Sequence, residues 1–213
     1  MFILKSIKRV NSILRILFII IFLPGCSIDK TQTQASRYYY LNPNNQNINI
    51  ARVAIVELGN DSEYPQIAAE MTKALFESLQ KKQLFGLTIV RERDDLWRSL
   101  QLDSDTTYSF KQMNSIREMI NCDGVLVGTI TEFKPYPHMT IGLRLKLTDL
   151  KGGQLIWAIE QVWNSSDKYT QKKVKKYLEK EKDSSQISLN KRLATISPLE
   201  FIKYISYEIA ETL

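Results

Sequence analysis

Between Ala51 and Leu213 the chain alternates short β-branched apolar runs with longer stretches whose apolar residues recur every three or four positions. The first run, Arg52-Val-Ala-Ile-Val-Glu-Leu58, is bounded by Gly59-Asn60-Asp61 and reads as a buried strand. Pro65 then stands where a helix opens. Ile67, Met71, Leu75 and Leu79 follow at intervals of four, which predicts an amphipathic helix lying against a sheet. Gly86 closes that region, and Leu87-Thr-Ile-Val90 is a second strand. Asp94 and Asp95 before Leu96-Trp97 predict a short capped helix. Phe110, Met113, Ile116 and Ile120 mark the buried face of another, over 109–120.

Beyond Ile120 the period changes. Val125 to Phe133 is apolar and β-prone, and Pro135-Tyr136-Pro137 makes a stiff turn. Met139, Ile141, Leu143, Leu145 and Leu147 then alternate with Thr140, Gly142, Arg144, Lys146 and Thr148, the signature of a strand with one face on a core and one in water. Asp149 to Gly153 turns the chain, with Gly152-Gly153 supplying the positive φ of a tight hairpin, and Leu155-Ile-Trp157-Ala-Ile159 begins a third strand. Trp157 and Trp163 share strand parity, so they fill the core or mark an exposed binding face. A lysine-rich segment, 168–182, precedes a last helix that opens on Ser197-Pro198-Leu199-Glu200. This reads as a capping box with proline at the first helical position, and Phe201, Ile205, Ile209 and Leu213 form the buried face. The order predicts an α/β (α+β) sandwich: a mixed sheet with a C-terminal antiparallel meander and helices packed on it.

The N-terminal part has a different texture. Lys5, Lys8, Arg9 and Arg15 precede an apolar run of eight residues, Ile16 to Leu23, which ends in Pro24-Gly25-Cys26. A bilayer span needs roughly 20 apolar residues, whereas a removable signal's apolar region has about 7–15. The segment resembles a bacterial lipoprotein signal peptide with its lipobox. That resemblance implies export, cleavage before Cys26 and acylation of Cys26, with several acyl chains giving a stable membrane anchor. Ser27 stands where an aspartate typically marks inner-membrane retention, so the outer membrane is the expected destination. Three segments follow from this reading: a signal peptide over 1–25, a lipidated N-terminus and tether over 26–50, and a single α/β domain over 51–213. The tether is rich in Gln, Asn, Thr and Ser, and at ~3.3 Å per residue it reaches roughly 80 Å. Tyr38-Tyr39-Tyr40 interrupts it, and those rings dock either on the domain or on a partner.

Charge changes the picture only once the leader is removed. The leader carries four basic residues and no acid, so the formal charge of +6 falls to +2 and supplies no nucleic-acid footprint. Of two cysteines, Cys26 is the lipid site and Cys122, beside Val125–Val127, reads as a small buried hydrophobe. The only histidine, His138, lies in a loop, and no Cys or His pair has zinc-ligand spacing. No cofactor motif is present, neither a nucleophile elbow nor a phosphate-binding glycine loop. Glu92, Asp94 and Asp95 cluster after a strand, at an edge where catalytic sites form, although a helix start also explains them. The 168–182 segment holds seven lysines against two glutamates. It is a solvated helix face or, through Lys172, Lys173, Lys175 and Lys176, a contact for anionic lipid, lipopolysaccharide or wall polymer whose strength falls with salt. Val174, Tyr177 and Leu178 are too sparse for bilayer insertion.

Val53-Ala-Ile-Val56, the stretch from Cys122 to Phe133, Leu145 to Leu150 and Gly153 to Trp157 together resemble a superfamily of periplasm-facing lipoprotein domains. Its members include the curli-secretion lipoprotein CsgG, the penicillin-binding-protein activator LpoB and the N-terminal domain of TolB. Asp123, Gly128 and Ile130 match its central-strand segment, and Asp149, Gly153 and Trp157 match its hairpin. The resemblance implies a non-enzymatic, membrane-anchored interaction or regulatory module for a cell-envelope assembly, in secretion or wall synthesis, with an envelope protein as partner. A subunit of an oligomeric outer-membrane complex or pore is the second expectation, weakened by Arg144 and Lys146 on the strand face that would meet lipid. A wall-polymer hydrolase working through Glu92, Asp94 or Asp95 is the third.

Overall fold

The computed structural model describes residues 39–44, 50–100, 108–181 and 197–213. The predicted sandwich is present. Strands β1 (Tyr39–Leu41), β2 (Arg52–Val56), β3 (Gly59–Asn60), β4 (Gly86–Val90), β5 (Gly124–Lys134), β6 (Thr140–Asp149) and β7 (Leu155–Asn164) form one sheet. Its order is β1-β7-β6-β5-β2-β4, with β3 beside β5. Five helices accompany it among the described residues: α1 (Ile67–Lys82), α2 (Asp95–Leu100), α3 (Phe110–Ile120), α4 (Lys168–Glu181) and α5 (Pro198–Ala210). Strand β2 is parallel to β4 and β5, as crossover helices require, whereas β5, β6, β7 and β1 are antiparallel.

Alternation along each strand divides the apolar residues between two cores. Val53 and Ile55 of β2, with Leu126 and Ile130 of β5, join the apolar side of β6, Trp157, Trp163 and the buried faces of α1, α4 and α5. Ala54 and Val56 point the other way, towards Val125, Val127, Leu100, Tyr108 and Ile116 beneath the short helices. Both tryptophans are therefore core residues, 0% and 2% exposed. Among the described residues the second layer covers only part of the sheet. On the far side of β6, β7 and β1, Arg144 pairs across strands with Glu160 at 3.1 Å, and Val162 and Tyr40 are half exposed.

A bulge between Ile130 and Glu132 resets the parity of β5, so Phe133 rather than its neighbour enters the large core, where its ring meets Tyr64 edge-on at 5.2 Å. Gly128 is forced by a close approach of the neighbouring strand. A Cβ there would lie 2.3 Å from the Arg144 carbonyl oxygen and 2.5 Å from Leu145 Cδ2. The residues that carry the superfamily resemblance do structural work. Asp123 accepts the backbone N–H groups of Ala51 and Arg52 at 3.0 and 2.9 Å, pinning the start of β2. Asp149 accepts those of Lys151 and Gly152, and of the two turn glycines Gly153 takes a left-handed φ, +67°.

Several local expectations are corrected. Phe110 is not on the buried face of α3 but 64% exposed at its first turn, and Ile116 is the fully buried residue of that helix. Ser197 makes no side-chain cap and so no box closes; Glu200 accepts instead from Lys203 at 3.1 Å, although Pro198 does begin α5. Asp94 caps no helix with its side chain; its Oδ2 accepts the Arg91 N–H at 2.7 Å in the preceding turn. Of the tyrosine cluster, Tyr38 lies outside the described residues and Tyr39 docks on the domain. Residues 39–41 pair antiparallel with β7, Tyr39 packs on the large core and Tyr40 points outward.

Candidate functional site

The lysine-rich helix α4 is positioned by two features. Asp167 caps its start, accepting the Thr170 N–H at 2.9 Å and its hydroxyl at 3.1 Å. Those bonds, first of all the one from the Thr170 amide, hold the Asp167 carboxyl below its usual range. Val174 and Leu178 are buried in the large core, so the few apolar residues of the segment are spent on docking it to the domain.

Docking sorts the four predicted lysines. Lys172 and Lys175 face solvent. Lys173 and Lys176 turn towards α5 and line a cleft of about 440 Å³. Tyr177 and Lys180 complete the stripe from α4, so the residues sit at i, i+3, i+4 and i+7 on one side of the helix. Helix α5 and the residue after it present the same spacing: Tyr204, Tyr207, Glu208 and Glu211. The cleft is the seam where these two stripes face one another. A second recess of about 260 Å³ shares Tyr177, Lys180, Tyr207 and Glu211, and extends to Lys81 and Lys82 around the end of α1.

Glu208 organises the floor. Its Oε2 accepts the Trp163 indole N–H at 3.0 Å and the Tyr204 hydroxyl, and its Oε1 accepts the Lys173 ammonium. Burial, the largest influence on Lys173, disfavours its charge. The hydrogen bond to and charge of Glu208 outweigh that effect and raise its pKa. Burial first, then Glu208, pushes the Tyr204 phenol far above its usual value, so it stays a donor. Lys173 is also 4.8 Å from the Tyr169 ring centroid, so its ammonium has partners on both helices while the side chain stays about a third exposed. Further along, Tyr177 lies 4.9 Å from Tyr207 with rings inclined at 38°, and Lys180 donates to the Tyr207 hydroxyl at 3.1 Å. Glu211 pairs with Lys82, whose hydrogen bond is the main reason its carboxyl is depressed.

The other sequence candidates are not brought together here. Glu92 and Asp95 are exposed after β4, and the Glu92 amide is held by the Glu57 carboxylate at 3.0 Å. His138 is exposed in its turn. Cys122 is 3% exposed, and burial raises its thiol to about 11. Cys26 lies outside the described residues. Sequence reading missed the contribution of α5, although the repeated i, i+3, i+4, i+7 spacing of polar and aromatic residues in both helices was visible.

No known family profile matches the chain, and no curated protein matches it. Among solved structures it is similar to lipoprotein GNA1162 from Neisseria meningitidis, at 13% identity and a TM-score of 0.42 over 76% of this chain and 99% of that one. It is similar to the PelC dodecamer from Paraburkholderia phytofirmans, at 16% identity and a TM-score of 0.40 over 53% and 70%. The LpoB C-terminal domain from Salmonella enterica is 19% identical, with a TM-score of 0.40 over 55% and 84%. At such low identity the chemistry of the cleft is carried by this chain's own residues.

Proposed function

We propose that the protein is an exported lipoprotein, held on a membrane through Cys26, whose α/β domain serves the cell envelope as a non-enzymatic binding or regulatory module. The observation that carries this is the leader: four basic residues, an apolar run too short to span, and a cysteine directly after Pro24-Gly25. The periplasmic face of the outer membrane is the expected location, because Ser27 follows the lipid site. The binding role is supported by the cleft between α4 and α5, where lysines, glutamates and the half-buried rings of Tyr177 and Tyr207 line a recess at the edge of the core. Of Glu92, Asp94 and Asp95, the acids a hydrolase would use, Asp94 has its carboxylate engaged by the Arg91 N–H at 2.7 Å in the turn after β4. Intact-mass measurement of protein purified from its native host tests the reading. Loss of residues 1–25 with acyl chains on Cys26 is expected, and Cys26→Ser should move the protein to the soluble fraction. A free thiol at Cys26, or a retained leader, would reject it.

A second reading, a subunit of an oligomeric envelope complex, is favoured by the sheet face left uncovered on β6, β7 and β1, where Val162 is 55% and Tyr40 45% exposed. Light scattering after detergent extraction separates the two: a ring supports the oligomer, and a monomer removes it.

A further inference from the structure

We propose that the seam between α4 and α5 is a binding groove for an anionic saccharide, a chain of sugars bearing phosphate or carboxylate groups. Three observations converge on this. The first is charge. The two adjoining recesses are lined by five lysines, Lys81, Lys82, Lys173, Lys176 and Lys180, and by two carboxylates, Glu208 and Glu211. Both carboxylates are already matched by lysines, Lys173 and Lys82. The lining therefore holds three more lysines than carboxylates, and Lys81, Lys176 and Lys180 stand exposed along its rim, where they attract an anion.

The second is surface chemistry. Tyr177 and Tyr207 are half-buried, inclined rings that line both recesses. A sugar ring presents a C–H face that packs on an aromatic ring and an edge of hydroxyls that bonds to ammonium groups. A simple inorganic anion uses only the lysines. The third is shape. Recesses of about 440 and 260 Å³ share four residues, so the site is a trough along the seam rather than a round pocket. The larger recess falls within the roughly 300–1,000 Å³ of small-ligand sites and the smaller extends it around the end of α1, and a trough of this form accommodates consecutive sugar units. A bilayer is too broad to enter it. A flat anionic surface meets Lys172 and Lys175 on the outward side of α4, whereas a narrow polymer lying along the seam reaches Lys176, Lys180 and the exposed parts of the Tyr177 and Tyr207 rings.

The test uses the full chain in detergent micelles and a fluorescent heparin-derived hexasaccharide as the acidic glycan probe. Uncharged maltohexaose, inorganic tripolyphosphate and vesicles of phosphatidylcholine with phosphatidylglycerol are the comparisons. The hexasaccharide is expected to bind with an affinity that falls as salt rises, and maltohexaose is expected not to bind. The Lys176→Ala/Lys180→Ala variant should weaken hexasaccharide binding about tenfold or more, while Lys172→Ala/Lys175→Ala, which removes the same charge from the outward side, should weaken it less than about threefold. Lys176→Ala alone, at an exposed position, repeats the first comparison should the double variant be unstable. Tyr207→Leu should weaken the hexasaccharide about fivefold and tripolyphosphate less than about twofold. Equal losses in the two lysine pairs, binding to vesicles alone, or no binding of the hexasaccharide would overturn the proposal. The result is independent of the anchor, because Cys26→Ser protein should give the same affinities.

Discussion

Trp163, one residue before the end of β7, donates its indole N–H to Glu208 of α5 across 3.0 Å, and so ties the closing helix to the sheet through a polar contact at the edge of the core. The Glu208 side chain is only 16% exposed and accepts from Tyr204 and Lys173 as well. Replacing it by alanine removes the acceptor of three donors, two of them on largely buried side chains, and should cost about 2–4 kcal/mol. Glu208→Gln keeps an acceptor oxygen and should cost about half as much. Lys173→Ala should cost less than about 1 kcal/mol, because its side chain is more than a third exposed and the pair is screened. Urea unfolding of the three variants checks the order, and a Glu208→Ala protein as stable as the parent would show that the network does not hold the helix.

Gly128 marks a place where two backbones touch. The nearest atom a Cβ would meet is the Arg144 carbonyl oxygen at 2.3 Å, which belongs to the β6 main chain and cannot rotate aside. Gly128→Ala should destabilise by at least about 1–3 kcal/mol, the range for overpacking. Gly124→Ala, whose nearest contacts are at 3.3 Å, should be tolerated better. Thermal denaturation of the two proteins side by side gives the comparison, and equal melting temperatures would contradict the strand approach.

These two sites show where pattern alone was sufficient and where it was not. The alternation from Met139 to Leu147 and the four-residue interval from Ile67 to Leu79 are repeated burial signals, and each predicted a buried face that the fold contains. Single residues at element ends obey local geometry instead. Phe110 fits the α3 stripe by spacing but lies at the first helical position, beyond the reach of the sheet, and is exposed. Ser197 and Glu200 have capping-box spacing, yet a lysine one turn away captures the glutamate. Tyr39 gains its burial from β7, more than a hundred residues later in the chain, so nothing near it announces the pairing. The cleft was half legible for the same reason. The α4 lysines stood out by number, but which of them face the groove depends on Val174 and Leu178 docking and on the distant stripe of α5.

Ser206 is wholly buried on α5, and its hydroxyl has no hydrogen-bond partner among the described residues. A buried unsatisfied hydroxyl costs about 1–3 kcal/mol, and alanine is also the better helix former by a few tenths of a kcal/mol. Ser206→Ala should therefore raise the melting temperature or leave it unchanged. A clear fall would reveal that the hydroxyl is engaged in solution.

Cys122 bears on reactivity rather than stability. Burial raises its thiol to about 11, outweighing the opposing hydrogen bond with the Ala54 backbone, so little thiolate exists at neutral pH. In a Cys26→Ser protein, where it is the single thiol, native Cys122 should react with iodoacetamide at least about a hundredfold more slowly than in urea, since thiolate fraction and access both fall. Rapid labelling of the folded protein would mean that the pocket beneath α3 opens readily.

Acid should loosen the seam through two carboxylates. Asp167 lies below its ordinary 3.8, chiefly through the Thr170 amide, and Glu211 below its ordinary 4.5, chiefly through Lys82. A group whose pKa is depressed by folding binds its proton more tightly in the unfolded chain. Its contribution is therefore complete above the ordinary value and disappears as pH falls through the depressed one. The Asp167→Asn/Glu211→Gln variant, which keeps oxygen acceptors but cannot ionise, should be less stable than the parent at pH 6. The gap should narrow steadily below about pH 4.5 and close once both carboxyls of the parent are protonated, because the two proteins then differ little in charge. Denaturant midpoints measured from pH 6 to pH 2 follow this convergence. A gap that stays constant across the range would show that the substitutions act through packing and that neither carboxylate is stabilised by folding.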